Sequence, residues 1–169
     1  MITLPLTQGQ VALIDDEHAA LAHFKWQAKW DEDTQSFYAA RASRQANGKR
    51  QTLGLHRAVM EMHIGRALVG DEHVDHINHD TLDCRTENMR LASGSQNHCN
   101  KRKYRTNKSG YKGVHLKEGR WRAEISAGGK RFSLGAYSTP EEAAAVYDAA
   151  ALKYHGAFAC PNARQVDNG

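Results

Sequence analysis

The amino-acid sequence predicts an α+β fold, with a small N-terminal β region and, towards the C-terminus, a three-stranded antiparallel sheet packed on one helix. Short apolar runs that stop at polar turn residues predict the strands, as the run 11–14 does before Asp15. Glycine-containing turns at residues 118–119 and 128–129 divide a later stretch into three such runs. A threonine-proline-glutamate-glutamate sequence then predicts the start of a helix.

The first half of the chain contains further short elements. Residues 37–40 form an apolar run that is typical of a strand, and the Asn-Gly pair at 47–48 predicts a tight hairpin turn after it. The partner strand of this hairpin is expected from residue 52 onwards. Residues 58–64 have the mixed apolar spacing of a short helix, which Gly65 would end.

The C-terminal sheet is built from three predicted strands, at residues 111–114, 121–126 and 131–135. Thr139 is the expected N-cap of the following helix, with Pro140 at the first helical position and Glu142 completing a capping box. The alanine-rich stretch after it continues to Tyr154, and Gly156 marks the end. Small alanines on one face of this helix would let it lie close against the sheet.

Length and composition restrict the class of protein. The chain has 169 residues, enough for one ordinary domain or two small ones, and its 40% hydrophobic and 25% charged residues are a globular composition. No apolar run approaches a membrane span and the N-terminus lacks the features of a signal peptide, so we expect a cytoplasmic protein. Its 3 cysteines form no C-x-x-C pair, which supports neither a disulfide framework nor a cysteine-rich zinc site.

The positive charge of the chain is concentrated in one segment. Residues 1–97 carry 10 Lys and Arg against 13 Asp and Glu, whereas residues 98–135 carry 11 against 2. A segment of this kind is typical of polyanion binding, because lysines and arginines that neutralise phosphates release condensed counterions. A solvated basic linker is the alternative that charge alone leaves open.

The stretch 98–109 is polar and basic and has no apolar periodicity, so it predicts a domain boundary. We expect one domain over residues 1–103 and another over residues 104–169. The stretch could also wrap along DNA, and its candidate DNA-binding residues are Lys101, Arg102, Lys103 and Arg105.

Asp75 and His76 are adjacent residues whose side chains could bind a metal ion and move a proton. An aspartate oxygen suits Mg²⁺ or Mn²⁺, and a neutral histidine suits proton abstraction near pH 7. Neighbouring side chains of a regular strand point to opposite faces, so this step must be irregular or end a strand if both are to reach one site.

The order of motifs around this pair resembles the phage-type HNH endonucleases. The resemblance covers about residues 1–103 and rests on His56-Arg57, residues 74–78, residues 87–91 and Gln96-Asn97. It implies a ββα-metal nuclease core in which Asp75 and Asn97 hold one divalent metal, Mg or Mn. It also implies that His76 activates the attacking water and that Asn88 braces the loop orienting His76.

The resemblance implies a metal-dependent, homing-like endonuclease of phage or host bacterial origin that acts on double-stranded DNA. One such site cuts one strand, so we expect a monomer that nicks. A DNA-binding regulator with an inactive HNH scaffold is the alternative, and cleavage of RNA is a third. Asn97 stands where many members have histidine, and the role of His56 is left open.

Residues 109–162 resemble the APETALA or ethylene-responsive-factor type of DNA-binding domain. Its motifs here include Gly113-Val114, the run 120–125 and the run 141–144. The resemblance implies that the sheet enters the major groove and contacts DNA through strand residues. The implied DNA-binding residues are Lys112, His115, Lys117, Arg120, Arg122, Glu124 and Arg131.

This sequence departs from the pattern of that DNA-binding family. Several family arginines are replaced, by Lys112, His115, Lys117 and Ser126, and a tryptophan is replaced by Ser133. Lysine lacks the bidentate guanine contact that arginine makes, so we expect more contacts to phosphates and fewer to base edges. The alternative for the basic strand residues is a solvated sheet face.

Overall fold

A computed structural model describes residues 1–44, 48–103 and 106–163. The chain folds as two compact units, Met1–Gly94 and Ser95–Gly169, whereas the sequence predicts a boundary after residue 103. The predicted turn residue Asn47 and the candidate DNA-binding residue Arg105 lie outside the described residues. Within the described ranges, none of the helices has the length and apolar character needed to cross a bilayer.

The first unit consists of small antiparallel sheets and one longer helix. It contains a β1–β2 pair, a three-stranded sheet in the order β3-β4-β5, and a β6–β7 pair. The elements are β1 (Ile2–Pro5), β2 (Val11–Ile14), β3 (Gln27–Asp31), β4 (Ser36–Arg44), β5 (Arg50–Gly54), α1 (Leu55–Ile64), β6 (Glu72–His76) and β7 (Met89–Ser93). Short 3-10 helices connect several of them, including one over Asp16–His23.

Helix α1 directly follows the β4–β5 hairpin and begins at Leu55, three residues before the predicted start at 58. Its C-cap is Gly65, as predicted, and this residue has the left-handed φ of 71° that glycine adopts at little cost. Leu55 and Val59 are fully buried in the core of the unit, together with Ile14 of β2. The helix is therefore held from its first turn by apolar packing.

Strand β6 ends at His76, and the loop to β7 is fixed on β2. The Leu13 N–H donates to the Leu82 carbonyl (2.9 Å), and the Cys84 N–H donates to the Leu13 carbonyl (2.9 Å). The β6–β7 register places Asp75 opposite Arg90. The residue pair of interest therefore lies at the end of a strand, followed by a loop anchored at its middle.

The second unit contains α2 (Gly94–Asn100) from residue 95 onwards, then a sheet and a long helix. The sheet is antiparallel in the order β10-β9-β8. Its strands are β8 (Val114–Lys117), β9 (Arg120–Ala127) and β10 (Lys130–Tyr137), and α3 (Pro140–His155) follows them. The ββα-metal arrangement implied by the sequence stays a prediction.

The first strand of this sheet differs from the prediction. Residues 111–113 form a turn, and β8 begins only at Val114. Gly113 has a φ of 72°, and a side chain there would collide with the ring of Tyr147. The strand pattern in the sequence does not reveal that residue 113 must be a glycine, because this requirement comes from Tyr147 on α3.

Turns and caps of the second unit agree with the sequence. Glu118 and Gly119 have positive φ values of 52° and 73°, as a two-residue hairpin turn between twisted strands requires. The predicted capping box is confirmed: the Glu142 N–H donates to Thr139 Oγ1 (3.2 Å), and the Thr139 N–H donates to Glu142 Oε2 (3.3 Å). The buried side chains of the sheet share one apolar cluster with those of α3, including Val114, Ala123, Ile125, Ala143, Ala144 and Tyr147.

Candidate functional site

Asp75 is a buried carboxylate with a cationic partner on the neighbouring strand. It is 5% exposed, and its Oδ2 accepts a hydrogen bond from Arg90 Nε (2.8 Å). Arg90 Nη2 lies 2.7 Å from the same oxygen. The guanidinium therefore offsets part of the cost of burying this charge.

His76 is buried among aromatic rings. Its ring centroid lies 5.5 Å from that of His56 and 6.2 Å from that of Tyr38. Burial lowers the pKa of His76 to about 3, and His56 contributes in the same direction. The imidazole is therefore neutral near pH 7, which is the form that can accept a proton.

His56 and Tyr38 complete this ring cluster. His56 stands in the first turn of α1, and burial lowers its pKa to about 4, with a smaller contribution from Arg57. Tyr38 of β4 meets His56 edge-on at 5.6 Å, and burial raises the pKa of its phenol. No local motif marks Tyr38 in the sequence, because β4 reaches the site only through the tertiary fold.

Asn88 spans the loop that follows His76. Its side-chain oxygen accepts from the Asn78 N–H (3.0 Å), and its Nδ2 donates to the Asp83 carbonyl (2.8 Å). Its backbone carbonyl accepts from the Ile77 N–H (2.8 Å), and the residue is 5% exposed. These contacts tie the start and the middle of the loop to Asn88 at its end.

Two carboxylates fix the rest of this loop. Asp83 accepts from Arg85 Nε (2.8 Å) and Nη2 (2.7 Å), and these bonds hold the pKa of Asp83 below its usual value. Asp15 accepts from the backbone N–H and the hydroxyl of Thr86, at 2.8 and 2.9 Å. The loop is therefore rigidly attached to the rest of the first unit, and sequence analysis gave neither carboxylate this role.

Asp75 offers one carboxylate to a hard divalent cation, and the Oδ2 atom of this carboxylate already accepts a hydrogen bond from Arg90. Carboxylate and amide oxygens are the ligands that Mg²⁺ and Mn²⁺ prefer. Asn97, the other implied ligand, lies on α2 in the second unit, and its role stays a prediction. A different group of three possible ligands, Glu17, His18 and His63, occurs elsewhere in the first unit.

The predicted DNA-binding residues of the strands share the face of the sheet that points away from α3. On β9, buried Ala123 and Ile125 alternate with Arg122 and Glu124. The cross-strand pairs are His115 with Arg122, Lys117 with Arg120, and Arg131 with Ser126. Because directly opposite residues of an antiparallel pair lie on the same face, these side chains form one polar surface.

Two acidic residues accompany the cations of this face. Arg122 donates to Glu118 (2.9 Å), and an Arg131 nitrogen lies 3.8 Å from a Glu124 oxygen. These pairs are solvent-exposed and contribute little to stability. The face keeps a net positive charge, because Lys117 and Arg120 add to the two paired arginines.

Lys112 stands apart from that face. Its ammonium donates to the carbonyls of Cys99 (2.7 Å) and Lys101 (2.6 Å), and burial lowers its pKa. Similarly, Lys103 donates to the Gly110 carbonyl (2.7 Å). Both lysines therefore bond to backbone carbonyls of the second unit, and Lys103 remains exposed, as do Lys101 and Arg102.

Comparisons with known proteins divide the chain in two. Residues 53–99 match the HNH endonuclease family, and residues 109–157 match the AP2 domain. The first match includes Asp75, His76, Asn88 and Asn97, and the second includes the whole β8–β10 sheet.

Individual relatives show the same division. An uncharacterized HNH endonuclease of Acanthamoeba polyphaga mimivirus is 34% identical over 109 residues, which is 64% of this chain and 56% of that protein. An ethylene-responsive transcription factor of Arabidopsis thaliana is 52% identical over 58 residues, 32% of this chain and 14% of the factor. An AP2-like factor of Oryza sativa subsp. japonica is 48% identical over 56 residues, 31% of this chain and 9% of the factor. The chain therefore spans little more than half of the viral relative and a small part of the plant proteins.

Proposed function

Because the chain carries an HNH endonuclease domain followed by an AP2 DNA-binding domain, we propose that it is a metal-dependent, homing-like DNA endonuclease. The observation that carries the proposal is the buried imidazole of His76, adjacent in sequence to the buried carboxylate of Asp75, at the end of a strand whose following loop is fixed by Asn88. A proton acceptor, a cation-binding oxygen and a rigid support then occur in one short segment.

His76 acts as the general base in this proposal. Its neutral ring takes a proton from water as the water oxygen attacks a phosphodiester phosphorus, and the bond to the 3′ oxygen breaks. Asp75 would hold a divalent cation, with Asn97 as the second implied ligand. When bound, such a cation stabilises the negative charge that develops on the phosphate and on the leaving oxygen.

His56 and Tyr38 enclose the base. Their rings pack against His76 at 5.5 and 6.2 Å, and this enclosure restricts the orientations of the imidazole. Asn88 fixes the backbone immediately after His76. We assign these three residues to positioning, because they act through the base and not on the substrate.

The AP2 face would hold the enzyme on double-stranded DNA. Lys117, Arg120 and Arg131 extend from three strands onto one surface, which suits contacts to phosphates on both sides of a groove. One catalytic site per chain should produce a nick, so we propose a monomer that cuts one strand.

A plasmid assay tests the proposed activity. Supercoiled DNA incubated with the protein and Mg²⁺ or Mn²⁺ should become nicked circles, and a chelator should prevent this. The His76→Ala chain should lose cleavage by at least about 100-fold, the usual contribution of a general base, and keep its DNA affinity in gel shifts. His73→Ala, at an exposed position of the same strand, is the matched control and should cut normally. No metal-dependent product from the native chain would refute the proposal.

One observation favours a DNA-binding regulator as the second candidate. The Oδ2 atom of Asp75 is already bonded to Arg90, as in a purely structural ion pair. In that case the native chain would retard DNA in gel shifts but leave supercoiled plasmid intact at every metal concentration. The appearance of nicked or linear DNA rules this candidate out, and the ratio of the two products distinguishes nicking from double-strand cleavage.

A further inference from the structure

A second cluster of metal-ligand side chains lies at the opposite end of α1 from the catalytic residues. Glu17 and His18 belong to the 3-10 helix Asp16–His23, and His63 stands in the last turn of α1. Leu21 of the same 3-10 helix shares the apolar core with Val59 of α1. The two elements that carry the cluster are therefore held against each other by packing.

The distances within the cluster match those expected between ligands of one ion. Glu17 Oε1 lies 3.7 Å from His18 Nε2 and 3.6 Å from His63 Nδ1, and one ligand atom from each residue lies within 4.8 Å of the others. These separations exceed hydrogen-bond length. Zinc bonds of 2.0–2.1 Å in tetrahedral geometry place neighbouring ligands about 3.4 Å apart, so an ion fits with small side-chain movements.

His18 supplies an independent indication of a ligand. It is 2% exposed, and its Nδ1 has no hydrogen-bond partner among the residues that the structure describes. Its Nε2 faces Glu17 at a distance too long for a hydrogen bond. An ion bound to Nε2 would give this buried imidazole a polar partner on the side of the ring that faces Glu17.

The donor set selects the class of metal. Two imidazoles and one carboxylate suit Zn²⁺ and the related Co²⁺ and Ni²⁺ ions better than Mg²⁺ or Ca²⁺, which prefer oxygen. The side chains of Glu17 and His63 are 60% and 48% exposed, so solvent can provide entry and a fourth ligand.

The cluster is separate from the proposed cutting site. His56, whose ring packs on His76, lies seven residues before His63 on α1. At about 1.5 Å per residue, the two positions are about 10 Å apart along the helix axis. An ion bound at His63 therefore does not reach His76.

We propose that Glu17, His18 and His63 form a zinc-class structural site that fastens the 3-10 helix Asp16–His23 to the C-terminal end of α1. The site would stabilise the support of α1, whose first turn carries His56. Binding to the folded chain alone raises its stability by mass action. This role is independent of the metal that the nuclease reaction would use.

Zinc titration of the full chain without DNA tests the proposal. The parent chain for the titration carries His76→Ala, which removes the histidine of the cutting site as a competing ligand. Excess Mg²⁺ is present throughout. We expect one equivalent of Zn²⁺ to bind, and the melting temperature to rise with added Zn²⁺. In the same background, Glu17→Gln and His63→Ala should each weaken binding by at least about tenfold. Co²⁺ should give the visible absorption of a four- or five-coordinate ion in the parent chain only.

His73→Ala is the control, because His73 is an equally exposed histidine, paired with Asp71 at 3.2 Å. It should leave Zn²⁺ affinity unchanged. Absence of Zn²⁺ binding in the parent chain overturns the proposal, and so does equal affinity in the Glu17 and His63 variants. His18 is not substituted, because replacing a buried residue could unfold the chain, and loss of the fold could not then be distinguished from loss of a ligand. The plasmid assay does not depend on this result, so the two proposals fail separately.

Discussion

At the residue scale, the ion pair between Asp75 and Arg90 determines how much stability a substitution near the site removes. Arg90 neutralises a carboxylate that is 5% exposed, and its own side chain is only 17% exposed. Sequence order was sufficient to select Asp75, His76 and Asn88 as candidates. It could not reveal Arg90 as the partner, because that depends on the register of β6 and β7.

Replacement of Arg90 by alanine should destabilise the first unit by about 3–5 kcal/mol, because it leaves a buried charge without its partner. Urea unfolding followed by tryptophan fluorescence of a Trp121→Phe chain measures this, since the remaining tryptophans lie in the first unit. Arg66→Ala is the matched control, because it breaks an exposed Arg–Glu pair and should have little effect. Similar losses from the two variants would contradict the structural role of the Asp75–Arg90 pair.

His56 gives the first unit a defined pH dependence. The unfolded chain takes up a proton on this histidine near pH 6.5, whereas burial delays uptake in the folded chain to about pH 4. Between these values the unfolded chain binds more protons, so stability falls as the pH falls from 6.5 to about 4. The loss should be on the order of 3 kcal/mol from His56 alone.

His56→Gln should reduce this slope by roughly half, because His76 contributes in the same direction, whereas His73→Gln, at an exposed histidine, should leave it unchanged. Urea unfolding at pH values from 7 to 4.5 compares the three chains. Retention of the full slope in His56→Gln would show that His56 does not contribute and that His76 and other groups cause the whole slope.

At the element scale, features that depend on neighbouring residues were predicted correctly, whereas features that depend on residues distant in sequence were not predicted. The capping box of α3 and the Gly65 cap of α1 depend on neighbouring residues, and both were predicted. The start of β8 was not, because Gly113 must adopt a positive φ to accommodate the ring of Tyr147, which is distant in sequence. The Tyr38–His56–His76 cluster was missed for the same reason, since it joins three separate elements.

The loop after β6 depends on Asn88 in a way that kinetics can measure. Asn88→Ala removes the bonds to Asn78 N–H and the Asp83 carbonyl, so the backbone after His76 gains freedom. We expect kcat for plasmid nicking to fall at least about tenfold while KM changes less than about threefold, because the loop orients the base and does not dock DNA.

His79→Asn is the control for this loop. It changes a neighbouring side chain but keeps a residue type that tolerates the left-handed φ of 65° observed there. Its kcat should stay near that of the native chain. A rise in KM with unchanged kcat in Asn88→Ala would instead place Asn88 in substrate binding.

At the scale of the whole molecule, charge and chemistry are divided between the two halves of the chain. Residues 1–97 have more acidic than basic side chains, whereas residues 98–135 are strongly basic. This division was visible in the sequence. The structure adds that the ammonium group of Lys112 is partly buried and donates to two backbone carbonyls, so this cation is less available to DNA than the composition suggests.

Lys117 should therefore contribute to DNA affinity but not to cleavage. It lies on the exposed sheet face opposite Arg120, and one lost phosphate contact lowers the slope of log K against log salt concentration by about 0.9. We expect Lys117→Gln to weaken binding several-fold at low salt and less at high salt, with kcat unchanged at saturating DNA. Lys153→Gln, on α3, is the matched control, since that side chain stands over the Tyr154 ring. If both variants had the same salt slope as the native chain, binding would not depend on the sheet face, and the separation of DNA binding from chemistry would have to be abandoned.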